Sequence, residues 1–175
     1  DNVAEDYGVS RADQDAFALQ SQQRAGAAIA AGAFADELFE VHTRAQDKTG
    51  AWQDLTVRAD ECPRPQTTLE GLAQLRPAFV PKGGTVTAGT SSPLSDGAAA
   101  LVLCSDRYAK AHGHQALAVF RGFAVAGVPP ELMGIGPVEA LPRLLGRQGL
   151  SVSDLGHIEL NEAFAVQALA CVREL

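Results

Sequence analysis

HIELNEAFAVQALACV, residues His157 to Val172, decides how the rest of the chain is read. His157 to Leu160 alternates polar and apolar, the pattern of a short strand with one buried face. From Glu162 onward almost every residue is apolar or small: Ala163, Phe164, Ala165, Val166, Ala168, Leu169, Ala170, Cys171 and Val172. A helix apolar on most of its faces is a buried helix. Asn161 stands at the junction. Its amide oxygen can accept from the free N–H groups of a first helical turn. The same position is the carboxyl end of a strand, where open α/β sheets collect ligands. Spacing alone is satisfied by a helix cap and nothing more.

Working back from this stretch, strands and helices alternate. Asp96-Gly97 turns the chain into Ala98 to Cys104, an unbroken apolar run that suits a strand covered on both faces. Cys104 is expected to be buried and inert there. A helix over Asp106 to His112, closed by Gly113, and a strand over Leu117 to Val128 follow. Pro129-Pro130 breaks the chain before a helix that reaches Gln148. Gly136-Pro137 opens that segment; Pro142 would cost ~3 kcal/mol inside a helix, so either the helix kinks there or, as the spacing favours, it begins near Ala140. Ser151 to Leu155 is a short turn or helix. This alternation predicts an α/β protein with a largely parallel sheet.

The first half reads differently. Ser10 to Asp13 resembles a capping box, opening a helix from Arg11 to about Ala31, with Gly32 as its stop. Phe17, Ala18, Ala25, Ala28 and Ile29 form the expected inner face; Arg11, Asp15, Gln22 and Gln23 mark the wet side. Leu38 to Thr43 and Trp52 to Val57 form a hairpin around Asp47 to Gly50. His42 carries no evident role, and Trp52 reads as a packing residue. Pro63 and Pro65 stiffen the backbone around Arg64. Thr67 to Glu70 caps a short helix through Leu75, which Pro77 ends. Val80 to Leu94 is loop. Gly83-Gly84 lacks the Lys-Ser/Thr of a phosphate loop. Ala88 to Ser92 offers small side chains and open backbone, a surface on which a thin, amide-bearing chain can lie.

Composition narrows the class. The chain has 175 residues, 46% hydrophobic, with a net charge of −7. That balance disfavours nucleic acid or an anionic membrane as a general partner. Arg58, Arg64, Arg76 and Lys82 nevertheless exceed the acids among them by one. The three cysteines form neither a disulfide framework nor a zinc spacing, so no metal site is expected and a reducing compartment fits. No apolar run is long enough to span a membrane. The chain opens at Asp1 without Met, so its natural N-terminus is expected to be missing and an organellar targeting segment stays open.

Specific motifs resemble one family. NEAFA at Asn161 to Ala165 is similar to the NEAF motif of thiolases. TVTAGTSSPLSDGAAALVL at Thr85 to Leu103, LRPAF at Leu75 to Phe79 and the opening DNVAEDYGVSRADQDAFALQSQQRA are similar to thiolase stretches in the same order. The likeness runs the whole length and is nearest the degradative 3-ketoacyl-CoA thiolases; Thr90 is a single-residue hint of that type. It implies a partial thiolase-like fold of layered α-β-α sheets with an inserted loop domain. Residues 1–94 would belong to the loop domain, 95–114 would close the N-terminal half, and 115–175 would begin the C-terminal half.

The resemblance also implies chemistry: transfer of an acyl group between 3-ketoacyl-CoA and CoA in fatty-acid β-oxidation. CoA is then a substrate, with no covalently bound cofactor. Asn161 takes the place of the family Asn that fixes a water in an oxyanion site. Arg64 would lie over the CoA nucleotide. Phe79, Ala88 and Ser92 would contact the pantetheine arm, and Ala163 and Phe164, with Glu162, the pocket wall. The family's nucleophilic Cys, its Gly-His-Pro His and its second Cys match no position here; Gly113 to Gln115 lacks the Pro and precedes NEAFA. The chain thus reads as an internal piece of a thiolase, inactive and poorly stable alone. A dimer or tetramer of the full-length protein, alone or alongside other β-oxidation enzymes, and a bacterial-type cytoplasmic location are implied. The alternative is a non-catalytic thiolase-like module that binds CoA or lipid, or only dimerises.

Overall fold

The computed structural model describes residues 1–175. Two compact units emerge: Ser10–Thr90, and Asp1–Val9 together with Ser91–Leu175.

The Ser10–Thr90 unit is built on α2 (Arg11–Ala30), following a short α1 (Asn2–Asp6) that belongs to the other unit. A reciprocal Ser10–Asp13 capping box starts α2. The inner face of α2 is only partly the apolar one that periodicity suggests: Ala18 is buried and Phe17, Ala25 and Ala28 are half-buried. Gln14 and Asp15 are buried beside Ala18, whereas Ile29 is exposed. The Asp15 carboxylate and the Gln14 Nε2 group face inward onto hydrogen-bond partners. Arg11, expected on the wet side, grips both Asp15 carboxylate oxygens through Nε at 3.0 and 2.9 Å. Its Nη2 donates to the carbonyls of Leu72 and Leu75 at 2.6 and 3.0 Å. Those carbonyls lie at the end of α3 (Leu69–Ala73), whose N-cap is Thr68. Gln14 Nε2 donates to Thr85 Oγ1 at 3.0 Å. Thus α2 recognises both α3 and the following loop through side-chain donors.

The hairpin pairs β1 (Val41–Gln46) with β2 (Trp52–Val57), antiparallel, with Val41 opposite Val57 and Gln46 opposite Trp52. Trp52 is exposed and lies 5.8 Å from the Arg44 guanidinium carbon, not in a core. Asp47 organises the turn by accepting from Thr49 N, Thr49 Oγ1 and Ala51 N. These bonds hold its carboxyl at about 2, below the ordinary 3.8.

In the second unit, α6 (Ala165–Glu174) is central: α1 and the 3₁₀ turn Pro130–Ile135 pack on it, and α5 (Gly136–Gln148) contacts it as well. Ala165, Val166, Ala168, Ala170 and Cys171 are buried. Gly134 has no side chain because a Cβ there would sit 2.8 Å from Gln167 Cγ. Helix α5 starts at Gly136, earlier than Ala140, and runs through Pro142. Pro142 lies on its exposed side and removes one i→i−4 donor. Gly149 ends it in the left-handed conformation, φ +65°. Helix α4 (Asp106–Ala111) begins at its Ser105 cap.

The hairpin is the only strand ladder. Ala98–Cys104, Leu117–Val128 and His157–Leu160 form none, and the first is exposed throughout, Cys104 included. A strand exists only through a neighbour's backbone groups, and none lies beside these stretches. Even so, burial alternates residue by residue from Arg121 to Val128, the period of a strand with one covered face. The covered side lies on α5: a Cβ on Gly122 would meet Gln148 Nε2 at 2.6 Å and Leu144 Cδ1 at 3.4 Å. No helix is long and apolar enough to cross a membrane.

Candidate functional site

Asn161 does not cap α6. The N-cap is Phe164, extended at φ −141° and ψ 138°, and no side chain caps the helix. The four residues Asn161–Phe164 instead form a connection leading into the buried helix. Asn161, Glu162 and Ala163 are exposed and Phe164 is half-buried. A capping amide would have been committed to the first turn; Asn161 stands clear of it and faces solvent.

This connection is held by the chain near Ser92. The backbone N–H of Ser92 donates to Ala163 O at 2.9 Å. Ser91 and Phe164 form an isolated antiparallel bridge. Ser92 and Ala163, far apart in sequence, therefore lie side by side within one unit. Ser91 had no signal in the sequence: its part is played by backbone, which residue type does not encode.

The remaining candidates, Arg64, Phe79 and Ala88, belong to the Ser10–Thr90 unit. Arg64 is exposed, and its position is fixed through its backbone. Its N–H donates to Gln22 Oε1 at 2.7 Å, and its carbonyl accepts from Thr67 N and Oγ1 at 3.0 and 2.7 Å. The guanidinium makes one long bond, Nη1 to Glu61 O at 3.4 Å, and pairs with no carboxylate. It presents a free cation from an anchored base. Gly26 lets α2 approach this loop, since a Cβ there would stand 3.0 Å from Pro65 Cβ.

Phe79 is exposed beside a short pairing in which Pro77 bridges Thr87 and Ala78 N donates to Val86 O at 2.8 Å. Ala88 is exposed at the start of a 3₁₀ turn, Ala88–Thr90. The turn is tied internally: Thr87 N donates to Thr90 Oγ1 at 3.0 Å and Gly89 N to Thr87 Oγ1 at 3.2 Å. Both threonines are buried. Thr90 is thus a structural residue of the turn. Gly89 packs where a Cβ would be 2.5 Å from Leu72 Cδ2 and 2.7 Å from Leu75 Cδ1.

Of the thiols, Cys62 and Cys104 are exposed and Cys171 is buried. Cys171 Sγ takes a contact from Gln167 Nε2 and makes one to Gly134 O, each 3.6 Å. Burial pushes its thiol up from 9.0, the opposite of an activated nucleophile. No group of three or more His, Cys, Asp or Glu is placed to hold a metal ion.

Comparison with known proteins gives the family. The thiolase N-terminal domain matches residues 1–107, and the thiolase C-terminal domain matches residues 114–175. The chain belongs to the thiolase family. It is 51% identical over its whole length to the peroxisomal 3-ketoacyl-CoA thiolase B of Rattus norvegicus, covering 41% of that protein. It is 56% identical to the beta-ketoadipyl-CoA thiolase of Pseudomonas aeruginosa, covering 42% of it. The Bacillus anthracis acetyl-CoA acetyltransferase structure superposes with a TM-score of 0.88 at 42% identity, over 99% of this chain and 42% of that one. The chain therefore carries part of the thiolase α/β fold and spans about two fifths of the length of the relatives it matches.

Proposed function

We propose that this chain forms part of a thiolase that transfers an acyl group between 3-ketoacyl-CoA and CoA in fatty-acid β-oxidation. The observation that carries the reading is the pinning of the Asn161–Phe164 connection beside Ser92, with Asn161 free of the helix it precedes. An amide there can orient a water toward a developing oxyanion without adding charge that opposes it. Ser92 and Ala88 would receive the pantetheine arm and Phe79 would line its path. Arg64 would meet the nucleotide, its planar donors suiting phosphate and its face adenine. Ala163 and Phe164, with Glu162, would wall the acyl end. CoA is a substrate in this reading, and no covalently bound cofactor is needed.

The nucleophile and its base match no residue here, so turnover belongs to the protein made from the complete reading frame. Within it, residues 1–94 serve the loop domain, 95–114 close the N-terminal half and 115–175 open the C-terminal half. That protein works as a dimer or tetramer in the cytoplasm, alone or beside other β-oxidation enzymes. The test is thiolysis of linear 3-ketoacyl-CoA by the full-length enzyme. Asn161→Ala should lower kcat by on the order of 10²–10³. Unchanged kcat would remove Asn161 from the chemistry. A marked preference for an acyl chain ending in a carboxylate would replace the fatty-acid assignment. Turnover by the 175-residue chain itself would refute the assignment of nucleophile and base to residues elsewhere.

A further inference from the structure

Two stretches that would otherwise be independent meet at one point. Residues 93–104 lie outside any helix or ladder and are exposed, and so are nearly all of residues 156–163. On the C-terminal side the second stretch is firmly held, because Ala165 and Val166 are buried at the start of α6. On its other side, Asn161 has no such anchor. What ties it is the Ser92 N–H to Ala163 O bond and the Ser91–Phe164 bridge. A backbone bond of this kind transmits position whichever side chains flank it. It also leaves the Ser92 hydroxyl unused by any bond, so the same residue can take a ligand on its side chain while its backbone holds Ala163.

We infer that Ser92 is a positioning residue for Asn161: its backbone N–H couples the amide-bearing arm of the substrate to the placement of the oxyanion-site amide. This rests on the proposed thiolase reading. Arm binding at Ser92 orders residues 91–92, and the bridge passes that order to residues 161–164. The reverse holds by linkage, so an ordered 161–164 connection tightens the arm. The coupling makes a substrate lacking the arm poor in kcat as well as in binding.

The test uses the full-length enzyme and a double-mutant cycle. Ser92→Ala removes the hydroxyl and keeps the N–H; it should raise KM for CoA more than it lowers kcat. Ser92→Pro also removes the N–H and should lower kcat at least tenfold beyond Ser92→Ala. In Asn161→Ala, the further change Ser92→Pro should lower kcat less than threefold, because the group being positioned is gone. A double variant whose loss equals the product of the two single losses overturns the coupling.

Deuterium exchange of the unaltered enzyme gives a second measurement, independent of how Ser92→Pro folds. Saturating CoA should slow exchange at the Ser92 amide and at residues 162–164 together. Slowing at Ser92 alone overturns the coupling while leaving the CoA site standing. No slowing at either place, with KM unmoved by Ser92→Ala, defeats the underlying reading itself.

Discussion

Helix α6 and the Ala98–Cys104 stretch are both short and mainly apolar, yet they fare oppositely. In α6, Ala170 is 0% exposed; in the other, Val102 is 98% exposed. The difference lies in where each finds its backbone partners. A helix closes its hydrogen bonds within itself and needs only a packing surface. Helix α1 and the 130–135 turn supply that surface. A strand needs a neighbour's N–H and C=O groups before its side chains can be covered. Apolarity marks a segment for burial; it does not provide the cover.

This contrast can be broken most directly by charge. Ala170→Asp places an unpaired carboxylate at a fully buried position and should cost about 3 kcal/mol or more. Val102→Asp should change stability by less than about 0.5 kcal/mol. Urea denaturation of both variants of the 175-residue chain would measure this, and equal losses would erase the distinction. The thiols sharpen the same point chemically. Cys104 should react at once with an aromatic disulfide reagent and Cys171 only on unfolding. Burial raises the Cys171 pKa, so its contribution to stability is complete below the unfolded pKa of about 9 and is lost as pH rises through the folded value.

The interior of the other unit gives the next effect. Arg11→Ala leaves Asp15 buried without its cation and two carbonyls without a donor, a loss of about 2–3 kcal/mol seen as a lower urea midpoint. Smaller still are two glycine changes of opposite sign. Gly134→Ala should cost about 1–2 kcal/mol, since its Cβ would press Gln167. Gly146→Ala, in α5 with nothing within 4 Å, should stabilise by about 0.5–1 kcal/mol. Thermal melts of the pair would show whether α6 packs as tightly as α5 is open.

The weakest effect belongs to the hairpin turn. Asp47 has a folded pKa near 2 against 3.8, so its support is present above about pH 4 and is lost as pH falls toward 2. The amide resonances of Thr49 and Ala51 should lose their protection across that window. A flat response would separate the turn from Asp47.

Local chemistry was the most legible part of the sequence. The Ser10–Asp13 box, the Asp47 turn with its second strand and the α4 helix stand where short-range signals place them, whereas the first hairpin strand is Val41–Gln46 and not Leu38 to Thr43. Misreadings came where long-range partners override local pattern. Arg11 and Asp15 look solvent-facing by periodicity, yet two carbonyls of α3 turn them inward. Asn161 looks like a cap, yet the bond from Ser92 to Ala163 draws the chain away before α6 begins. Pro142 looks like a boundary, yet its exposed side of α5 tolerates the missing donor.

By itself, the order of residues determined the family, through motifs such as NEAFA, and the type of most helices and turns. Those depend on neighbours within a few positions, which a chain carries wherever it goes. Tertiary structure alone decided that Asn161 is free, that Ser92 lies beside Ala163, and that α2 packs through polar groups. Each of these rests on hydrogen bonds between residues tens of positions apart, and backbone donors and acceptors are the same at every position, so no residue name announces which will meet.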